Sequence, residues 1–324
     1  MKLERALIAL ALLGFATAGW TQGWSPDRNV EIVIGFPPGG GFDKTARALK
    51  QLLDATKLVN SSITVVNKPG GGTSIAYTYV SQRPGDGHTV MIVGTALLTN
   101  HIMGKSPLNY TDFTPIASLF NDYVAFSVNT ASPIKNGTDL IERLKQDPKS
   151  VVAGTAVIGA GSHLAVALLL KALGRNAKDL KAVAFKGGSD ALISLLGGHI
   201  DLVATSTGAT APHLVAGRLR VVAVAAPTRL GGAFAGVPTW KEQGMELVFG
   251  LPRNIMGPKG MASTRSAYWE DALRKVTETA EWKADLEKHL WSDNFVTGAQ
   301  FRKDLDREYA NFQSVLTDLG LAKR

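Results

Sequence analysis

The stretch Gly35-Phe36-Pro37-Pro38-Gly39-Gly40-Gly41-Phe42-Asp43 joins the apolar run Val30–Ile34 to the amphipathic run Phe42–Ala55. The apolar run has the length and β-branched composition of a buried strand, whereas the amphipathic run has the spacing of a helix. Because the three glycines lack a Cβ, backbone N–H groups in this turn can approach a ligand closely. The helix adds the positive end of its dipole, and Asp43 is placed to cap it. The stretch therefore predicts a strand–turn–helix unit of an α/β protein, with a turn suited to a carboxylate or phosphate.

The same pattern begins a second time, about 120 residues further along the chain. There the apolar run Val151–Ala153 precedes the turn Gly159-Ala160-Gly161 and the helical stretch His163–Leu173. Strands that alternate with helices predict parallel sheets covered by helices on both faces, and two such beginnings predict two α/β lobes. Further predicted strands are Ile63–Val66, Thr89–Val93, Ala182–Phe185, Leu202–Ala204 and Leu219–Ala225, with a helix at Ser189–Gly197.

Two segments are predicted to connect the lobes. Phe113–Val128 is rich in strand formers and lacks a helix of its own, so we expect it to cross between lobes, and we expect Met245–Met256 to carry the chain back. The stretch Thr297–Gln300 fits a capping box, and the apolar residues after it predict a tail helix that packs against the first lobe. We therefore assign residues 28–127 plus 252–324 to the first lobe and 128–251 to the second.

The first residues have the pattern of a secretory signal peptide. Lys2 and Arg5 precede the apolar stretch Ala6–Ala18, and Ala16-Thr17-Ala18 offers small residues for cleavage. We assign residues 1–22 to a cleaved signal peptide and expect a soluble, monomeric protein in the periplasm; the alternative is a buried N-terminal helix. The sequence contains no cysteine, which excludes thiolate metal sites, iron–sulfur clusters and a cysteine nucleophile.

The formal net charge of +8 comes from dispersed basic residues, which favours small anions rather than nucleic acid as partners. Nucleotide motifs are absent, because Lys44 follows Asp43 rather than glycine and Leu164 stands where a dinucleotide fingerprint needs glycine. The histidines lack metal-ligand spacing, so no metal or cofactor is expected. A periplasmic hydrolase using Ser162 and His163 is the alternative class. Adjacent residues seldom face each other, however, and no G-x-S-x-G motif is present, so an enzyme is not expected.

Several motifs together resemble the Bug family of tripartite tricarboxylate transporter receptors. The resemblance implies the two-lobed, type II-like periplasmic binding protein fold, in which two α/β lobes joined by crossing strands close on a carboxylate. It also implies ligand contacts mainly from Pro37–Asp43 and Thr155–His163, and a membrane permease as the partner that receives the ligand. The motifs are Phe36–Asp43, Asn67-Lys68-Pro69-Gly70-Gly71-Gly72, Gly197-Gly198-His199-Ile200-Asp201 and Val237–Gly244, in the family's order.

The ligand stays open between two classes of carboxylate. Phe42 stands where many members have threonine or serine, and an aromatic residue followed by Asp43 is similar to the tricarboxylate-binding, citrate-like branch. The ring is equally suited to stack on an aromatic dicarboxylate such as terephthalate. A second carboxylate needs another donor, for which Arg253 is favoured over Lys186 because a guanidinium binds bidentately; the alternative for both is a solvated or interlobe charge. The complete set of predicted ligand-binding residues is Pro38, Gly39, Gly40, Gly41, Phe42, Asp43, Gly71, Thr95, Thr155, Gly159, Ala160, Gly161, Ser162, His163, Lys186, Ser206 and Arg253.

Overall fold

The computed structural model describes residues 23–323, so the predicted signal peptide lies outside the described residues. Within that range, no helix is long and apolar enough to cross a membrane. The strands are β1 (Val30–Ile34), β2 (Ile63–Asn67), β3 (Thr89–Val93), β4 (Phe113–Asn129), β5 (Val152–Thr155), β6 (Lys181–Ala184), β7 (Leu202–Ser206), β8 (Leu219–Val224), β9 (Gly250–Pro258) and β10 (Ser292–Thr297). The α-helices are α1 (Gly41–Ala55), α2 (Ser74–Ser81), α3 (Ala96–Ile102), α4 (Gly137–Gln146), α5 (Gly161–Ala172), α6 (Gly188–Leu196), α7 (Thr207–Val215), α8 (Ser263–Glu278), α9 (Ala280–His289) and α10 (Gly298–Asp318).

The strand order is β2-β1-β3-β9-β4-β7-β5-β6, with β8 and β10 paired to β4. Strands β2, β1 and β3 run parallel in the first lobe, and β6, β5 and β7 run parallel in the second. The predicted parallel arrangement is thus present within each lobe, and at the centre β9 is antiparallel to β3 and β4, and β4 is antiparallel to β7, β8 and β10. The reason is that the crossing strands run out and back between the lobes, and two neighbouring strands of that kind have opposite directions.

Strand β4 crosses between the lobes, as predicted for Phe113–Val128. Its first half pairs with β9 and β10 in the first lobe, and its second half pairs with β7 and β8 in the second. Strand β9 returns beside it, so the segment predicted to carry the chain back contains a crossing strand. The predicted lobe boundaries, 127/128 and 251/252, fall within these two strands and stay predictions.

Each lobe has apolar clusters on both faces of its sheet, which is the layered arrangement that alternating strands and helices predict. In the first lobe, Ile32 packs with Leu49 of α1 and Trp269 of α8, whereas the neighbouring Val33 packs on the opposite face with Tyr77 of α2. The second lobe divides in the same way between a cluster under α4 and α5 and a cluster under α6. Strands β1, β3, β5 and β7, which lead to the cleft, are therefore packed on both faces, whereas the edge strand β6 is largely exposed.

The C-terminal helix α10 packs against both lobes. Phe301 and Leu305 lie in the core of the first lobe, as predicted, but Leu316 and Leu319 lie in the main cluster of the second. The prediction that the whole helix packs on the first lobe is therefore wrong for its last two turns. The predicted capping box is also absent: the Thr297 side chain caps nothing, and Gln300 Nε2 instead donates to Asp304 one turn further along, at 3.0 Å.

Candidate functional site

A cleft between the two lobes lies at the carboxyl ends of the parallel strands. Turns after β1 and β3 line it from the first lobe, turns after β5, β6 and β7 line it from the second, and the start of β9 forms part of its wall. The volume of about 110 Å³ is several times the space that one water molecule needs, so a small organic ligand fits. The residues of the wall are Phe36, Pro37, Pro38, Gly40, Gly41, Phe42, Gly94, Thr95, Ala96, Ala156, Val157, Ala160, Gly161, Ser162, Gly187, Gly188, Ser189, Asp190, Thr205, Ser206, Ala209, Leu251, Pro252 and Arg253.

Hydrogen bonds to the Asp43 side chain, on the side of the turn away from the cleft, fix the turn after β1. The Asp43 carboxylate accepts hydrogen bonds from the N–H of Gly39 at 2.9 Å, from Arg47 at 2.8 and 3.1 Å, and from Asn67 Nδ2 at 3.1 Å. Burial alone would raise the pKa of this carboxyl, but these donors hold it below its usual value. The expectation that Asp43 caps α1 is wrong, because the cap residue is Gly40, which lacks a side chain. Asp43 lies outside the cleft wall and shapes the turn whose other residues line it.

The start of α5 brings the second lobe against the first. The N–H of Gly161 donates to Thr95 Oγ1 across the cleft at 2.9 Å. A Cβ on Gly161 would lie 2.2 Å from Leu251 Cδ2, so a larger residue at this position would force the Leu251 side chain to move. Lys105 Nζ adds a second interlobe hydrogen bond to the carbonyl oxygen of Ile158, at 2.8 Å. The lobes are thus in contact around the cleft, in a closed arrangement.

Ser162 and His163 do not form a nucleophile–base pair in this arrangement. Ser162 lines the cleft, whereas His163 is buried outside its wall and its Nδ1 has no partner among the described residues. Burial and, to a smaller extent, the charge of Lys105 lower the pKa of His163 to about 4. His163 is therefore a neutral core residue at physiological pH, and no hydrogen bond joins it to Ser162.

Among the helices that start at the cleft wall, three begin with a glycine. Gly41 of α1 comes from the first lobe, and Gly161 of α5 and Gly188 of α6 come from the second. In none of the three does the residue at the N-cap position supply a side-chain hydrogen bond, although the N–H of Gly161 donates to Thr95 Oγ1. Their positive dipole ends and the remaining N–H groups of their first turns favour an anion between the lobes.

Arg253 lies at the floor of the cleft in a buried ion pair. Its Nη2 is 3.2 Å from Asp122 Oδ2, and the side chains are only 2% and 1% exposed. Asp122 also accepts hydrogen bonds from the N–H and Oγ1 of Thr207, at 3.2 and 2.8 Å. The guanidinium lies over the ring of Phe42, 4.1 Å from its centroid, while Nε is buried without a partner. Arg253 thus connects the crossing strands, the first glycine turn and the start of α7.

The cleft wall contains ten of the seventeen predicted ligand-binding residues. Wall residues outside that set include Phe36, Leu251, Pro252 and several residues at strand ends, such as Gly188, which follows a predicted strand and opens a helix, as Gly41 does. The predicted residues in the wall are Pro38, Gly40, Gly41, Phe42, Thr95, Ala160, Gly161, Ser162, Ser206 and Arg253. Outside it lie Gly39, Asp43, Thr155, Gly159 and His163, whereas Gly71 and Lys186 line a second cavity.

Among residues 23–323, no group of three or more histidine, cysteine or acidic side chains is arranged to hold a metal ion. A two-lobed α/β fold with crossing strands, whose cleft presents helix N-termini from both lobes, defines a solute-binding receptor. The model of the tripartite tricarboxylate transporter receptor family, TctC, matches residues 46–318, and this chain belongs to that family. The expectation that the protein is a Bug-type receptor and not an enzyme is therefore confirmed.

Known relatives extend over nearly the whole chain. The UPF0065 protein in gbd 5'region of Cupriavidus necator is 27% identical over 302 residues, which are 92% of this chain and 89% of the relative. The structure of the periplasmic binding protein BugD matches with a TM-score of 0.84 and 24% identity, covering 92% of this chain and 100% of its own, and supports the fold. The structure of R. palustris Rpa4515 with adipate matches with a TM-score of 0.83 and 25% identity, over 92% and 99% of the two chains.

Proposed function

We propose that this protein is a periplasmic receptor that captures a small di- or tricarboxylate and delivers it to the membrane permease of a tripartite transporter. The observation that carries the proposal is the convergence of three uncapped, glycine-started helices from both lobes on one cleft. Membership of the receptor family and the similarity to a structure with bound adipate support a carboxylate ligand.

In the proposed mechanism, the ligand closes the lobes by contacting both of them. One carboxylate accepts hydrogen bonds from N–H groups at the starts of α1, α5 and α6. This full set of hydrogen bonds forms only when the two lobes are closed. The ligand therefore shifts the population toward the closed form, in proportion to its extra contacts there. The closed form is then the one that a permease recognises as loaded.

Arg253 is the proposed donor for a second carboxylate of the ligand. Its Nη2 pairs with Asp122 and its Nη1 donates to the carbonyl oxygen of Leu251 at 2.9 Å, which leaves Nε without a partner in the described residues. A buried guanidinium with an unused donor in the wall of an anion site favours a dianionic ligand over a monoanionic one. Calorimetry of Arg253→Ala with adipate and its mono-ester tests this role: a loss of affinity confined to adipate supports it, and equal losses contradict it.

The environment of Phe42 favours an aliphatic ligand over terephthalate. The ring stacks on Phe36, with centroids 4.6 Å apart, and also lies beneath the Arg253 guanidinium. Both contacts occupy its faces, so little of the ring is available to stack on an aromatic ligand. An aromatic dicarboxylate is the second candidate, and the same binding screen distinguishes the two classes.

The test is a thermal-shift screen of the mature protein with citrate, tricarballylate, C4 to C6 dicarboxylates, terephthalate and acidic amino acids, followed by calorimetry. Gly40→Trp should abolish the ligand-induced stabilisation, because Gly40 lines the cleft and a large side chain there would fill it. Gly231→Trp is the matched control, since a Cβ at that exposed glycine meets no atom within 4 Å. If Gly40→Trp binds as tightly as Gly231→Trp, the proposed cleft is not the binding site.

The proposed location follows from the signal-like N-terminus together with the family. The intact mass of the exported protein should correspond to a chain that begins between Gly19 and Trp24. A periplasmic pool that retains Met1 would contradict the proposed cleavage. Size-exclusion chromatography with light scattering tests the proposed monomer, for which a mass near that of one mature chain is expected.

A further inference from the structure

A second cavity, with a volume of about 630 Å³, lies in the groove between the two lobes. It shares Phe36, Ala156 and Val157 with the ligand cleft, so these residues separate the two spaces. The glycine turn before α2 borders the cavity from the first lobe, and the segment after β6 borders it from the second. Its wall includes the glycines Gly70–Gly72 and the side chains of Asn100, Lys105 and Lys186.

The charged residues of this wall are both cationic. Lys105 belongs to the first lobe and Lys186 to the second, and no acidic side chain lines the cavity. Neither lysine forms an ion pair with any of residues 23–323. Lys105 is largely exposed, and the part of it that is buried lowers its pKa. Lys105 Nζ donates to the carbonyl oxygen of Ile158, which is a neutral partner, so an anion in this groove would supply the counter-charge that both lysines lack.

A buried polar group points to a ligand independently of the lysines. Asn100 is only 1% exposed; its Nδ2 donates to the carbonyl oxygen of Gly72 at 2.7 Å, while its Oδ1 has no partner within the described chain. Buried side-chain oxygens are normally hydrogen-bonded, so this oxygen is suited to accept from the O–H of a hydrogen phosphate or of a protonated carboxyl group, and not from an ionised carboxylate. Gly70, Gly71 and Gly72 all have positive φ, and a turn of this kind can direct successive N–H groups to an anion.

We propose that the second cavity binds an anionic group, a carboxylate or a phosphate, between Lys105 and Lys186. Since the two lysines belong to different lobes, the bound anion stabilises the closed form and increases the affinity of the cleft for its own ligand. This coupling rests on the proposed receptor function, whereas anion binding itself does not. The anion is either the far end of a long dicarboxylate that also occupies the cleft or a separate small anion.

The experiment compares the mature wild-type protein with Lys186→Gln and the matched control Lys181→Gln. Lys181 is exposed on β6, five residues earlier, and lies outside the wall of the cavity. Each protein is titrated by calorimetry with inorganic phosphate alone, with adipate, and with the longer azelate. We expect Lys186→Gln to lose about fivefold in affinity for at least one probe, the size of one solvent-accessible charged contact, and Lys181→Gln to match the wild type.

A loss in the phosphate titration identifies a separate anion site, and a loss confined to azelate identifies the far end of a long ligand. If Lys186→Gln and Lys181→Gln behave alike with every probe, the proposal is wrong. Should no dicarboxylate or other carboxylate bind the wild type, the proposed receptor function fails, but the phosphate titration still decides whether the second cavity binds an anion.

Discussion

Replacing Asp122 by asparagine should destabilise the protein by about 3 kcal/mol. The substitution keeps the shape of the side chain and an oxygen that accepts from Thr207, so the hydrogen bonds at 2.8 and 3.2 Å are largely preserved. What it removes is the negative charge 3.2 Å from the Arg253 guanidinium, in a pair that is almost completely buried. Removing one partner of a buried ion pair typically costs about 3–5 kcal/mol, because the remaining charge has no counter-ion. Since asparagine still accepts hydrogen bonds, the lower end of that range is expected.

The assay is urea unfolding of the wild type, Asp122→Asn and the double variant Asp122→Asn with Arg253→Met, at pH 7. The double variant should recover most of the loss, because an apolar side chain of similar length needs no counter-ion. Asp318→Asn is the control for an exposed pair, since Asp318 and its partner Lys171 are about half exposed, and should cost less than about 1 kcal/mol. Adipate should stabilise Asp122→Asn more than the wild type, because its carboxylate supplies the missing charge.

Two results would refute this reasoning. A cost below about 1 kcal/mol for Asp122→Asn would mean that Asp122 carries no negative charge in the folded protein. Burial raises the pKa of this carboxyl group and therefore acts in that direction. A double variant less stable than Asp122→Asn would mean that Arg253 stabilises the fold through other contacts, such as its position over Phe42.

Three further predictions follow from the geometry. Gly41→Ala should weaken carboxylate binding about tenfold in calorimetry, because a Cβ there lies 3.1 Å from Nη2 of Arg253 and 3.3 Å from Oγ of Ser206 in the other lobe. Unchanged affinity would show that these two side chains move aside without cost to binding. His163 has a folded-state pKa of about 4, so the wild type should lose up to about 3 kcal/mol of stability as the pH falls from 6.5 to 4, since only the unfolded state takes up the proton there. In urea titrations His163→Gln should lack that part of the pH dependence, and an identical profile would contradict the burial argument. Leu316→Ala should cost about 2–5 kcal/mol in the same assay, because Leu316 is fully buried in the core of the second lobe; a cost below 1 kcal/mol would mean that the end of α10 does not contribute to that core.

The sequence predicts best those features that depend on neighbouring residues. The turn Gly39–Gly41 follows from an apolar strand on one side and an amphipathic helix on the other, and the structure has strand β1 and helix α1 at those places. Phe113–Val128 was predicted to cross between lobes because it contains strand formers but no helix, and strand β4 covers it. Both predictions use only local composition and spacing, which determine secondary structure over short segments.

Features that depend on distant residues were beyond the sequence. Arg253 pairs with Asp122, 131 positions earlier, and nothing in either local segment indicates the other. The position of Lys186 shows the same limit. Ligands bind at the carboxyl ends of strands, and this rule places Lys186 at that edge of the sheet. The rule does not predict which of the two adjacent cavities the Lys186 side chain lines. The spacing of apolar residues in α10 likewise identifies the buried face of the helix. It does not predict that this face packs on the first lobe at the start of the helix and on the second lobe at its end.

The helix α10 gives the two lobes a third connection besides the crossing strands, and this limits how the cleft can open. Its 21 residues include Phe301 and Leu305 in the first core and Leu316 in the second, and Leu319, directly after the helix, also lies in the second core. A packed core tolerates only small displacements, because side chains fill it at crystal-like density. Opening therefore cannot separate both ends of the helix from their lobes without exposing apolar surface. The motion that leaves both contacts intact is a rotation about an axis near α10 and the two crossing strands, which widens the cleft at the glycine turns while its floor at Arg253 stays fixed.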